Sequence, residues 1–273
     1  MSLIINTNIA SIAAQQNLSS VTMRLQSNYS HLSSGLRITS AADDAAGLGI
    51  ASRLGAQVAS WKVAGRNTQD GISLAQTGEG ALSGVTDMLT RMRELATQAA
   101  SGTLSATDRT TADTEFQQLK AEIDRVATTT TFNGINLLDG SSAAATIQVG
   151  INSGDTIDVT LQDTTAATLG INTLDVTSAA NASSALATLG TAIDTVNTAR
   201  GVFGADENRL QDAFSNTQTQ DQNLSAAESR IRDVDVASET ADLTRNSILQ
   251  QAAVSVLSQA NVQPQLALKL LGG

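Results

Sequence analysis

The residues with chemistry to offer are few. Asp43 and Asp44, the pair Asp233 and Asp235, the glycines of Gly47-Leu48-Gly49 and the single histidine, His31, are where acid–base work, a metal or a phosphate would be sought. Adjacent helical residues point about 100° apart, so Asp43 and Asp44 do not converge on one substrate, and Ser40 with Asp43 fits a helix cap. Gly47 and Gly49 lack the third glycine and the preceding strand of a phosphate loop, and read instead as close packing or a bend. With no Cys there is neither a disulfide nor a thiolate metal site, and one His leaves little for zinc. Arg37, Arg53, Arg66, Arg91 and Arg93 are spread over many helical turns and suit solvated faces and salt bridges better than one anion site. Trp61, the lone Trp, reads as packed rather than as a ligand anchor. The sequence therefore predicts no catalytic, cofactor-binding or metal-ligating residue.

What remains is the elements themselves. The 273 residues are 41% hydrophobic with one Trp, one Tyr and four Phe, so Ala, Leu, Val and Ile do the packing, as in helix seams. One Pro leaves long helices uninterrupted. A net charge of −10 without Lys/Arg clusters argues against nucleic acid. No apolar run approaches the roughly 20 residues of a membrane span, and MSLIINTNIASIAAQQ lacks the pattern of a cleaved secretory signal.

The charges are missing where ordinary chains carry them. Residues 1–23 hold no Asp, Glu, Lys or Arg, and from Asn246 onward the only charge is Lys269. Apolar residues recur there at helical spacing: Ile5, Ile9, Ile12, Leu18, Val21, Leu25 and Leu32 at one end, interrupted by Asn28, and Ile248, Leu249, Ala253, Val256, Leu257 and Ala260 at the other, where Pro264 is expected to stop the helix. Amphipathic helices docked on their own domain would show such stripes too. A helix with one covered side, however, keeps its opposite side charged, so uncharged opposite sides predict cover from neighbouring copies.

Leu82, Val85, Leu89, Met92, Ala96 and Ala99 form a stripe, and Phe116, Leu119, Ile123 and Val126 another, predicting two antiparallel helices broken at Ser101-Gly102. A heptad register runs from Leu186 through Leu189, Ile193, Val196, Phe203, Leu210, Phe214 and Leu224 to Ile231, with Arg200, Glu207, Thr217, Asp221 and Glu228 as polar members. Between the helices, Ile147, Val149 and Ile151 alternate with polar residues, as do Ile157, Val159 and Leu161, predicting a hairpin turned at Asn152–Asp155, and Asn133-Gly134 is a second turn signal. The Ser/Thr/Ala-rich stretch 141–184 is expected to be the least helical part and to lie outside. The fold class is thus mainly α: a long antiparallel coiled-coil bundle of N- and C-terminal segments with a small β-hairpin region in the middle.

INTNIAS, LSSGLRITSAADDAAGLGIASRL, NTQDGISLAQTGEGAL, RMRELATQAASGT, TFNGINLLDG, IQVGINSGDTIDV, ESRIRDVDVA and ILQQAAVSVLSQANVQPQLALKLL resemble, in this order, the bacterial flagellins over essentially the whole chain. The resemblance implies a filament subunit, exported without a cleaved signal peptide to the extracellular flagellum. Residues 1–45 and 233–273 would form an inner tube and 46–232 an outer helical layer, with no large variable outer domain between the halves. It also implies partners: further copies of itself, an export chaperone, the filament cap, the hook-filament junction proteins, and Toll-like receptor 5 through Arg91, Leu95 and Glu115, with Thr90 where the family often has Gln. A junction protein with similar terminal helices and a flagellin with an enzymatic outer domain are the alternatives. A poorer match through GISLAQTGEGAL would favour the first and a metal or nucleophile motif the second.

Overall fold

The computed structural model describes residues 7–271, with side chains through Pro264. In chain order the described residues form α1 (Ile9–Ser34), α2 (Ala45–Ala100), α3 (Ala106–Thr129), β1 (Thr131–Phe132), β2 (Ile135–Asn136), β3 (Ala144–Gln148), β4 (Thr156–Thr160), α4 (Ala179–Arg232) and α5 (Val236–Leu271), the mainly helical architecture expected. Two compact units result: one holds the residues up to Ala56 and from Asn223 onward, the other Gln57–Gln222. Both α2 and α4 contribute to each.

In the Gln57–Gln222 unit, the stripe Leu82, Val85, Leu89, Met92, Ala96, Ala99 is wholly buried. It meets Phe116 and Ile123 of α3 and Leu189, Val196, Phe203 and Leu210 of α4 in one core. α2 stops at Ala100, as Ser101-Gly102 predicts. Arg109 then reaches back, its Nε donating to Ala99 O at 2.8 Å and its Nη2 to Ser101 O at 2.7 Å, so carbonyls that the ended helix leaves open are satisfied. A reciprocal capping box of Ser105 and Asp108 starts α3. With Arg91 paired to Glu115 further along, α2 and α3 run antiparallel.

α4 runs antiparallel to α2 through closely matched contacts: a Cβ on Gly78 would stand 2.8 Å from Phe203 Cζ, and one on Gly71 3.3 Å from Leu210 Cδ1. Polar members of the heptad register find partners. Arg200 donates Nε and Nη2 to Glu79 Oε1 at 3.0 and 2.6 Å, Glu207 Oε1 accepts from Gln76 Nε2 at 2.7 Å, and Thr217 donates to Ala213 O at 2.8 Å. Asp221 is different: its Oδ1 is buried with no hydrogen-bond partner, in a groove of about 190 Å³ that half-buried Trp61 and Phe214 also line.

Asn133 (φ +48°) and Gly134 (φ +81°) make the turn between β1 and β2, both in the left-handed region that a two-residue hairpin loop demands. The second hairpin departs from expectation. β3 begins at Ala144 and ends at Gln148, pairing Ile147 with Ile157 and Ala145 with Val159, so Val149 and Ile151 lie in the loop. Asp155 causes this, because its backbone O accepts from Val149 N at 2.9 Å and its Oδ2 from Asn152 N at 2.9 Å, which pinches the loop shut earlier than the apolar alternation suggests.

The stretch 141–184 holds no helix before α4 begins at Ala179, as expected, but it does not lie outside: Ala145, Val159, Leu161, Ala166, Leu169, Ile171 and Val176 are buried. A row on α3 ties it down: Asp113 Oδ1 accepts from Val176 N at 2.8 Å, Gln117 Nε2 donates to Leu174 O at 3.1 Å, Lys120 Nζ donates to Asn172 O at 3.0 Å, and Asp124 Oδ1 accepts from Ala166 N at 2.7 Å. This polar row spares the strap's amides and carbonyls an unpaired burial.

Candidate assembly surface

α1 and α5 pack antiparallel. Asn8 Nδ2 donates to Ala260 O at 2.8 Å, Ser11 Oγ to Asn261 Oδ1 at 2.8 Å, and near the other end Asn28 Nδ2 donates to Glu239 Oε1 at 2.6 Å while its Oδ1 accepts from Asn246 Nδ2 at 2.8 Å. Asn28, the break in the apolar stripe, is therefore a buried seam residue whose partner is supplied by α5. Leu25 and Ala260 are buried in this seam, with Leu18, Val21, Leu32, Ala253 and Leu257 half-buried.

The other terminal residues singled out by the sequence face away. Ile9 is 65% exposed, Ile12 47%, Ile248 61%, Leu249 43% and Val256 59%, and Met23, Val254 and Val262 are bare as well. Ile5 lies outside the described residues. The stripes that the sequence presents as single seams thus divide into an internal seam and uncovered flanks.

Pro264 does not end α5, which continues to Leu271. A proline has no N–H to give the carbonyl four residues earlier, here Ala260 O, and Asn8 Nδ2 donates to that carbonyl instead. The same side chain caps α1, its Oδ1 accepting from Ser11 N at 3.1 Å. Asn8→Ala is therefore expected to cost the ordered pair about 1 kcal/mol for the lost cap, plus a share for the orphaned carbonyl. In a Pro264→Ala background, where an amide returns, that second share should vanish. A double-mutant cycle on filament melting measures the difference, and equal losses in both backgrounds would contradict the pairing.

The link from α1 to α2 is braced locally. Gly35 (φ +72°) closes α1, its N–H reaching His31 O at 2.9 Å, and Arg37 N donates to Arg232 O at 2.7 Å where the α4–α5 link passes. Asp43 Oδ2 accepts from Thr39 N and Oγ1 and from Ser40 N and Oγ, while Asp44 Oδ1 caps α2 through Gly47 N at 2.8 Å. The expected cap at Ser40 and Asp43 is thus a tight turn with the carboxylate as acceptor. A Cβ at Gly47 would lie 2.7 Å from Ile38 Cδ1, so the buried Ile38 would have to shift to admit one, whereas Gly49 has open space around it.

The Thr39 hydroxyl bond and the Ser40 and Thr39 amides hold the Asp43 carboxyl at a pKa of about 2, below its ordinary 3.8. A depressed folded-state pKa gives stability that is present above 3.8 and lost as pH falls toward about 2. Exchange protection of the Thr39 and Ser40 amides should therefore fade over that interval and be absent throughout in Asp43→Ala. His31 stands between two acids, Nδ1 3.1 Å from Glu239 Oε1 and Nε2 3.8 Å from Asp43 Oδ1.

In the other unit, Arg91 grips Glu115 (Nε to Oε1 2.7 Å, Nη2 to Oε2 3.3 Å) and Glu94 (Nη1 to Oε2 2.9 Å) on an exposed face. The hydrogen bond to Glu115 raises the guanidinium pKa above its ordinary value, and the bond from Arg91 lowers that of Glu115. Leu95 does not share that face. It is 3% exposed and belongs to the core, because its place on α2 falls among the seam residues.

Among the described residues no group of acids and histidine could hold a metal, and no helix is long and apolar enough to cross a membrane. Long helices with an internal seam and uncovered apolar flanks define a structural subunit built to associate. The bacterial flagellin N-terminal helical region matches residues 5–143, and the flagellin C-terminal helical region residues 186–271. Flagellin of Halalkalibacterium halodurans is 44% identical over 271 residues, covering 98% of this chain and 100% of that one. Flagellin of Bacillus subtilis is 41% identical over 301 residues, covering 98% and 99%. The crystal structure of Bacillus cereus flagellin superposes with a TM-score of 0.52 at 42% identity, over 60% of this chain and 94% of that one. A flagellar hook-associated protein of Vibrio parahaemolyticus shares the fold at 16% identity, with a TM-score of 0.60 over 70% of this chain and 100% of that one.

The chain belongs to the bacterial flagellin family, in a minimal form with the two terminal helical regions and only a short stretch between them. It is a structural subunit, not an enzyme, and it polymerises with itself into the extracellular flagellar filament.

Proposed function

We propose that residues 1–45 and 233–273 line an inner tube, that 46–232 form the layer around it, and that the terminal helices acquire their order on joining the filament. The observation carrying this reading is the exposure of Ile9, Ile248 and Val256, at 65%, 61% and 59%, on helices with no charge to solvate the same stretches. Ordering a residue costs about 1–2 kcal/mol of backbone entropy, and a seam covering one side of each helix recovers only part of that. Neighbouring copies cover the rest, each fully buried aliphatic side chain contributing about 1.5–3 kcal/mol. Hydrogen exchange separates the states: amides of α1 and α5 should be protected in filaments and open in the monomer. Equal protection in both would refute coupled folding.

Export without a cleaved signal peptide, a chaperone holding the C-terminal helix, growth beneath a cap, and a join to the hook through junction proteins complete the reading. Toll-like receptor 5 would engage the face carrying Arg91 and Glu115. Its test is a receptor reporter assay, in which Arg91→Ala should lower the response without moving the melting midpoint, because the ion pair is solvent-exposed. An unchanged response would remove the receptor from the list of partners.

A further inference from the structure

Two features of the groove between α2 and α4 weaken the chain, and nothing in its own packing compensates for them. The first is Asp221. Its Oδ1 is buried and accepts no hydrogen bond, although a carboxylate oxygen taken out of water without a donor is among the least favourable groups to bury. Exposed Lys62 and Arg66 line the same groove, yet neither forms an ion pair with Asp221 among the described residues. The second is Gly65. A glycine inside a helix is less stable there than an alanine, and a Cβ at Gly65 would meet Thr217 Cγ2 at 3.4 Å and Phe214 Cε2 at 3.9 Å, ordinary contact distances. An alanine would fit, but its methyl group would stand between two residues that wall the groove.

The groove offers one combination of surfaces. Trp61 and Phe214 give aromatic area, Gly65 an open floor and Asp221 a negative acceptor, within a volume of about 190 Å³ that has room for roughly six waters at about 30 Å³ each. An anion would meet the carboxylate as a like charge, and a neutral ring would leave Oδ1 unpaired. A metal ion would find a single ligand, since among the described residues no group of three His, Cys, Asp or Glu side chains is placed to hold one. A planar cation satisfies every surface at once, because a guanidinium lies flat against aromatic faces and donates its N–H bonds in its own plane.

We infer that the groove of Trp61, Phe214 and Asp221 is a binding site for a guanidinium group, which stacks on the aromatic rings and donates to Asp221 Oδ1. Free arginine and an arginine side chain of another copy both carry that chemistry. Lys62 and Arg66 at the rim suit the α-carboxylate that the free amino acid brings and a side chain does not. The site lies wholly within the Gln57–Gln222 unit and stands whether or not the terminal helices gain their order on assembly.

Trp61, the chain's single Trp, reports on the groove directly. L-Arginine titrated into the full-length chain before seeding is expected to shift its emission to saturation, while urea at the same concentrations does not. Asp221→Asn should weaken that response about tenfold or more, the scale of a lost hydrogen bond to a charged group. Gly65→Ala should weaken it as well while raising the melting midpoint of the Gln57–Gln222 unit, the mark of a folded chain whose cradle is filled. Seeded growth without arginine is the second arm. An emission shift on elongation that Asp221→Asn removes assigns the site to a side chain of a neighbouring copy, and a shift with added arginine alone assigns it to the free amino acid. No shift in either arm, a response to urea equal to that to arginine, or a response that Asp221→Asn leaves intact would overturn the inference.

Discussion

A chain lacking residues 1–45 is expected to add no length to filament seeds, while its Gln57–Gln222 unit still melts cooperatively. The deletion removes Asn8, Leu18, Val21, Leu25, Asn28 and Leu32, the α1 side of the internal seam, together with the exposed Ile9, Ile12 and Met23. What is left of α5 exposes Leu257 and Ala260 beside its already bare residues and has lost the donor to Ala260 O. A helix of 36 residues without a packing partner and with a proline inside it has little reason to stay ordered. Seeded growth followed by electron microscopy, with a thermal melt of the same sample, reads both halves of the expectation. Normal elongation by the shortened chain would mean that the uncharged ends are not what joins the copies.

Phe203→Ala is expected to cost the Gln57–Gln222 unit about 3–5 kcal/mol, the range for emptying an aromatic site that cannot collapse. Collapse is blocked because the ring is fully buried and lies against Gly78, which has no side chain to move into the void. The converse change, Gly78→Ala, places a Cβ 2.8 Å from Phe203 Cζ and should cost about 1–3 kcal/mol through overpacking. The two should not be additive, since Gly78→Ala fills part of the space that Phe203→Ala opens. Urea unfolding of the four chains gives the cycle, and a loss below about 1 kcal/mol for Phe203→Ala would show that α2 and α4 close up when the ring is removed.

The core of this molecule was easy to read because α2 repeats its apolar positions where α4 and α3 also repeat theirs. Leu82 through Ala99 needed nothing beyond spacing, and Asn133-Gly134 nothing beyond turn chemistry. The departures share a cause: in each, a residue outside the local pattern changes what that pattern implies. Pro264 reads as a stop until Asn8 stands beside Ala260 O, more than two hundred residues away in sequence. Val149 reads as strand until Asp155 closes the loop. Asp113, Gln117, Lys120 and Asp124 were missed by the sequence reading, and only the strap returning along that side of α3 shows their use; their steps of four, three and four were the available signal. For the assembly residues the spacing found the helices but not the division between seam and flank, because a helix uncharged all round gives no polar side to orient it. Leu95, one place before Ala96 of the stripe, was expected at a receptor surface, and only the packing of α2 against the core shows it to be interior.

The Asn28–Asn246–Glu239 cluster serves as an indexing pin. If one helix slides a heptad along the other, Asn28, which bonds both Glu239 and Asn246, keeps at most one of these two partners, at a penalty of about 1–3 kcal/mol for a buried polar group left unpaired. Purely apolar seams tolerate such slippage, and a subunit threaded into its lattice out of step would carry the fault to every copy added after it. Two asparagines and a glutamate give each newcomer one alignment to settle into, and so keep the growing tip free of stacking errors.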